Sequence, residues 1–168
     1  MKPARPNGAA LRTVAARMPQ SLAKVILHIA FSTKRRTPWL RAADLRVELY
    51  AYMATILRKF ECPAMVINGT EDHVHVLCLL SRKTRIMDRV KDAKTEMSKW
   101  IKRHRRGNAG FAWQAGYGVF SVSESNLRQV RSYVENQAEH HRRITFQDEF
   151  RELCRRHGIE LDEPYAWD

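Results

Sequence analysis

Apolar residues recur at every second position in "AKVILHIAFST", where Val25, Leu27, Ile29 and Phe31 share one face and predict a first strand. Past Pro38 the period changes. From Asp44 to Phe60 the residues Leu45, Leu49, Tyr52, Met53, Ile56 and Phe60 fall on one side of a helix. Two strand-length runs follow, "PAMVINGT" and "HVHVLCLL", joined by the turn in "NGTED". Thr84 is placed to cap a second helix whose buried stripe is Ile86, Val90, Ala93, Met97 and Ile101. A Gly-Asn break at 107–108 ends it, and "FAWQ" and "GYGVFSVS" read as short strands around a Gly-rich bend. Ser123 then caps a third helix over "ESNLRQVRSYVENQAEHH", with Leu127, Val130, Val134 and Ala138 as its apolar stripe. A last helix, "FQDEFRELCRRHG", stops at Gly158.

The order β-α-β-β-α-β predicts an α+β fold: a ferredoxin-like (RRM-like) antiparallel sheet with helices on one face and further helices at the C-terminus. Residues 21–168 suit a single domain. Residues 1–20 mix Pro, Ala, Gly and Arg without periodicity; they read as a disordered extension, with Met18 as the native start.

A hydrophobic fraction of 44% with 29% charged residues excludes a disordered chain. No apolar run approaches the length of a membrane span, so no membrane partner is expected. Cys62, Cys78 and Cys154 are odd in number, widely spaced and without CxxC pairs, which fits free thiols rather than a disulfide framework or a thiolate zinc site. The net charge of +12 and a pI near 10.1 point to a polyanionic partner. Residues 81–106 hold eleven basic residues against three acidic ones, more than a solvated helix face requires, and a phosphate backbone is the better match.

The run "EDHVHVLCLL" carries the most chemistry. In a strand, His73 and His75 point to one face while Val74 and Val76 point to the other. Such a pair is either two histidines satisfied by hydrogen bonds or two ligands of one metal. On the third helix, Tyr133 and Gln137 are four residues apart and stack on one face, beside the Val130/Val134 stripe. Alone they are a packing tyrosine and an incidental glutamine. Beside clustered histidines and a basic surface they compose a phosphoryl-transfer site, with the phenol attacking phosphorus.

"HVH" is the motif of the HUH endonucleases, and "YVENQAEHH" resembles the tyrosine helix of the single-tyrosine transposases of small bacterial insertion sequences (IS200-like), relatives of the REP-associated tyrosine transposases. "VILHIAFSTKRRTPWL", "FAWQAGYGVFSVS" and "FQDEFRELCRRHGIELDEPYAW" are similar to that family's opening strand, central strands and closing helix, so the likeness spans about residues 20–168. The resemblance implies that Tyr133 is the nucleophile and that His73, His75 and Gln137 hold a divalent metal, Mg2+ or Mn2+. It further implies cleavage of single-stranded DNA with hairpin ends through a 5′-phosphotyrosine, a bacterial cytoplasmic setting, and a homodimer in which the tyrosine helix completes the partner's site. A non-catalytic nucleic-acid-binding module, a related nickase and a domesticated REP-type tyrosine recombinase are the alternatives.

Other residues invite smaller roles. His140 and His141 read as phosphate contacts or helix-end caps, and Asp72 as an acceptor orienting a histidine or a solvated turn residue. His28 reads as a satisfied core histidine and Tyr117 as part of a strand bend. Trp113 and Trp167 read as packing residues or base-stacking surfaces.

Overall fold

The computed structural model describes residues 22–83, 85–105 and 107–167. The expected N-terminal extension and the cap at Thr84 lie outside the described residues. Four strands form one antiparallel sheet: β1 (Ile26–Ser32), β2 (Ala64–Gly69), β3 (His73–Leu79) and β4 (Gly118–Val122), in the order β2-β3-β1-β4. This is the expected ferredoxin-like plan. Val25, expected in the first strand, precedes it and is exposed.

The sheet is covered on both faces. Leu27, Ile29, Phe31, Val74, Val76 and Cys78 pack against α1 (Ala43–Lys59) and α2 (Ile86–His104) in the main core. The stripes of these helices do what their spacing predicts, with Leu45, Leu49, Met53, Val90, Ala93, Met97 and Ile101 buried. The opposite face carries His28, Ala30, His73 and His75 and is covered by α3 (Leu127–Glu135), α4 (Gln137–His140) and α5 (Phe146–Arg156). A short α6 (Glu163–Ala166) follows, and Trp167 packs on Phe150. None of the helices among the described residues is long and apolar enough to cross a membrane.

Three local expectations change. "FAWQ" is not a strand: Trp113 makes a single bridge to Thr33, because its ring and that of Phe111 are drawn into the core against Phe31. The third helix divides at Asn136 (φ −101°, ψ 25°), whose side chain donates to Ser132 O at 2.8 Å. The apolar stripe therefore loses phase, and Ala138 is exposed while Gln137 is fully buried. Ser123 caps the 3-10 turn 124–126 that leads into α3 rather than α3 itself. Gly158 terminates α5 as predicted, at φ +63°, which a residue with a Cβ adopts at a cost.

Candidate functional site

The two histidines of β3 face α3–α5 because the strand alternates, and small neighbours make room for them. Across the sheet His75 lies beside Ala30 of β1, which in turn pairs with Gly118 of β4; His73 lies beside Ser32. A Cβ on Gly118 would meet the Phe150 ring at 2.7 Å, so the glycine lets α5 approach. The turn before β3 is equally tight: a Cβ on Gly69 would sit 2.2 Å from His73 O, and Thr70 N donates to that same carbonyl at 3.1 Å.

The structure brings His73, His75, Tyr133 and Gln137 together within one chain. Asn68 of β2 donates to Glu135 O at 2.7 Å and docks the end of α3 on the sheet beside His75. The Tyr133 ring then stands 6.0 Å from that of His75 and 5.9 Å from that of His28. One turn on, Gln137 points into the same space. The four side chains converge within a single chain, and the sharing of the site between subunits that the resemblance implies is a matter for experiment.

At the centre stands a residue that the sequence did not single out. Glu149 of α5 accepts hydrogen bonds at Oε1 from the Tyr133 hydroxyl and from Gln137 Nε2 (3.1 Å). Its Oε2 lies 3.1 Å from His141 Nε2 and 3.2 Å from His75 Nε2, the latter without the alignment of a hydrogen bond. His140 Nε2 approaches Oε1 at 3.4 Å. So His140 and His141, expected to be phosphate contacts or caps, both turn towards this carboxylate, and His141 Nδ1 also bonds Ile144 O at 2.9 Å. A signal for Glu149 did exist: with Phe146 and Phe150 it puts an acid on the apolar face of a helix, and all three are buried.

The outer rim orients the imidazoles. Asp72 Oδ1 lies 2.7 Å from His73 Nδ1 and takes a further bond from Thr70 Oγ1, so Asp72 is an orienting acceptor rather than a solvated turn residue. A carboxylate oxygen only accepts, which puts the proton of neutral His73 on Nδ1 and leaves the Nε2 lone pair facing inward. His28, a satisfied core histidine as expected, meets His75 Nδ1 at 2.8 Å through its Nε2.

Burial shapes the charges here. It pushes the His28 imidazole down to about 3 and that of His73 down to about 4, the latter against the pull of Asp72. Burial, and then the adjacent negative charge of Glu149, hold the Tyr133 phenol well above its ordinary value. For Glu149 itself burial works upward, but His141, His75 and Tyr133 outweigh it and hold the carboxyl well below the usual range. Burial likewise opposes the proton on His141, and the Glu149 carboxylate overcomes it, raising that histidine.

The donor set fits a divalent cation. His73 Nε2, His75 Nε2 and Gln137 Oε1 are buried atoms without a hydrogen-bond partner among the described residues. Each buried polar atom left unpaired costs roughly 1–3 kcal/mol, a cost that an ion bound between them removes. Donor atoms of His73, His75, His141 and Glu149 all lie within 4.8 Å of one another.

The remaining candidates lie elsewhere. Trp113 is in the main core, and Tyr117 packs on its margin, where Lys94 Nζ lies 5.5 Å from its ring. The described part of the basic segment, α2 and the residues beside it, runs along the far face of the sheet from the histidines, with Arg85, Lys91, Lys102 and Arg103 exposed. Lys94 is no part of that surface. It is buried, and it donates to Gln114 O at 2.9 Å and Gly116 O at 2.6 Å, tying down the bend before β4. Burial lowers its ammonium to about 8.

Comparison with known proteins gives a consistent picture. The family model described as "Transposase IS200 like" matches residues 21–137. No curated protein matches the chain. Among solved structures, a candidate transposase of Deinococcus radiodurans R1 is 23% identical, covering 72% of this chain and 96% of its own, with a TM-score of 0.56. A REP-associated tyrosine transposase bound to a REP hairpin is 12% identical, covering 75% of this chain and 74% of its own, with a TM-score of 0.55. At these identities the two structures establish a common fold.

Proposed function

The chain belongs to the IS200-like transposase family, and we propose that it cleaves and rejoins single-stranded DNA through a covalent link to Tyr133. The observation that carries this is the meeting of Tyr133 with His73, His75 and Gln137 in one buried polar site. His73, His75 and Gln137 would hold a divalent ion, Mg2+ or Mn2+; when bound, it polarises the scissile phosphate and stabilises the departing 3′-oxygen.

The side chains account for the rest. Glu149 Oε1 accepts the Tyr133 hydroxyl, fixing the direction of the nucleophile, and is the acceptor nearest its proton. As the phenolic oxygen gives its proton to Glu149 and bonds to phosphorus, the bond from phosphorus to the 3′-oxygen breaks and that oxygen takes up a proton, leaving a 5′-phosphotyrosine and a free 3′-hydroxyl. Attack by another 3′-hydroxyl reverses the step, so the phosphodiester energy is conserved and no nucleotide cofactor is consumed. Access for a strand is available on two sides. A cavity of about 380 Å3 bounded by β4, α3 and α5 reaches the Tyr133 ring, and Arg36, Arg142 and Arg143 line the opening beside His141.

A hairpin substrate is supported by the REP hairpin held by the REP-associated relative, and phosphate binding outside the cleaved segment by the basic surface of α2. The sheet ends in β2 and β4, which offer edges for pairing two copies into a homodimer. The test is incubation with Mn2+ and a 3′-labelled single-stranded hairpin oligonucleotide. A labelled protein band that survives denaturant is expected, together with a 5′ fragment whose end a polymerase can extend. Equal binding of hairpin and blunt duplex without any cleavage would favour a non-catalytic binding module instead.

A further inference from the structure

A cation held only by His73, His75 and Gln137 would have three neutral ligands in a site that solvent scarcely reaches: the exposures are 1%, 0% and 0%. A divalent charge taken out of water needs negative charge beside it, and Mg2+ and Mn2+ favour carboxylate oxygen. Among the described residues Glu149, 2% exposed, is the only buried acidic side chain, and it stands between these ligands.

The histidine tautomers point the same way. His73 Nδ1 is committed to the Asp72 carboxylate and His141 Nδ1 to the Ile144 carbonyl, both pure acceptors. In neutral His73 the Nε2 lone pair therefore faces inward, while His141 Nε2 is hydrogen-bonded to Glu149 Oε2 at 3.1 Å. His73 Nε2, His75 Nε2 and Gln137 Oε1 have no donor among the described residues, and a cation placed between them and Glu149 would satisfy all three.

We propose that Glu149, supplied by α5, is itself a ligand of the ion with His141 beside it, while its second oxygen holds the Tyr133 hydroxyl. This rests on the metal-dependent site proposed above and adds to it a charged ligand that lies outside the family-matched segment 21–137. Gln137 then has two tasks, because its Nε2 steadies Glu149 Oε1 while its Oε1 faces inward unpaired. The helix is seated for this role: Thr145 accepts from Asp148 N at its start, and Phe146 stacks on the His73 ring at 4.5 Å. One carboxylate thus joins the metal to the nucleophile.

The experiment is Mn2+ titration calorimetry on the full chain without DNA, comparing wild type with Glu149→Gln. The amide keeps a carbonyl to accept from Tyr133 and removes the charge. Mn2+ affinity is expected to fall at least tenfold, and the rise in melting temperature that Mn2+ gives the wild type to disappear. An affinity within twofold of wild type would overturn the proposal. If circular dichroism shows Glu149→Gln unfolded, Glu149→Asp serves. Its charge is kept but withdrawn by about 1.5 Å, one C–C bond, so weaker Mn2+ binding is again expected and wild-type affinity again overturns the proposal. The two levels of inference separate in the wild-type titration. A wild type that binds no Mn2+ removes the metal-dependent site and this ligand with it, whereas a wild type that binds alongside an equally competent Glu149→Gln removes the ligand alone.

Discussion

Replacing Tyr133 with Phe removes one oxygen and leaves the ring. That oxygen donates to Glu149 Oε1, so the variant deletes a hydrogen bond to a buried, ionised carboxylate as well as the nucleophile. Hydrogen bonds to charged groups contribute roughly 1.5–3 kcal/mol. Gln137 Nε2 remains 3.1 Å from the same oxygen and His141 still serves Oε2, which places the loss near the lower end, about 1.5 kcal/mol. For a chain of this size that corresponds to a fall in melting temperature of about 3–6 °C. Catalysis should respond quite differently: no covalent adduct with a 3′-labelled hairpin oligonucleotide, and no 5′ fragment, while hairpin binding in a gel-shift assay is unchanged. Differential scanning fluorimetry in EDTA and a denaturing gel provide the two readouts. Adduct formation at the wild-type rate would show that another residue attacks the phosphate. An unaltered melting temperature would show that Tyr133 and Glu149 are not bonded in solution.

Acidification should destabilise the fold, because the folded state holds His28 near 3 and His73 near 4 while the unfolded chain takes up protons at about 6.5. Between those values the unfolded chain binds more protons, so stability falls with pH. By about pH 5 the loss is about 2 kcal/mol per histidine. His141, raised in the folded state, contributes in the opposite sense and reduces the net loss without cancelling it, so melting in EDTA should still fall from about pH 7 to about pH 5; a flat or rising profile would contradict the burial of neutral imidazoles. Hairpin affinity should weaken steeply with salt, and Lys102→Glu with Arg103→Glu should lower both affinity and the salt slope while metal binding is untouched; an unchanged slope would mean that DNA does not follow α2. Mixing Tyr133→Phe with His73→Ala chains should give no cleavage if the site works as it is assembled within one chain here, because both sites are then broken. Recovered cleavage would show that subunits exchange their tyrosine helices.

Much of this site could be read from short-range spacing. Period two put His73 and His75 on one face, and the i, i+4 relation put Tyr133 above Gln137; both relations survive because each element is itself regular. What escaped depends on contacts distant in sequence. Glu149 becomes part of the site only because α5 folds back over a sheet whose small residues, Ala30 and Gly118, admit it. Lys94 was counted among the basic residues of a surface helix, and charge totals do not tell which ammonium turns inward to a set of carbonyls. Ala138 followed the apolar stripe until Asn136 broke the phase, a break set by a side-chain bond to Ser132 rather than by hydropathy. "FAWQ" has the composition of a strand, but its aromatic residues are consumed by the core.

From His73 to Cys78, β3 is buried on both sides, with valine and cysteine on one and histidine on the other. Sliding this strand by one residue against β1 would exchange the two sets. Imidazoles would enter the hydrocarbon around Leu49 and Met53, and valines would face Glu149, stranding a carboxylate without donors. Mispairing therefore produces no compact but inert protein. A chain of this transposase family is in this way proofread during folding: the copy whose histidines miss their place is the copy that fails to fold and is left to proteolysis.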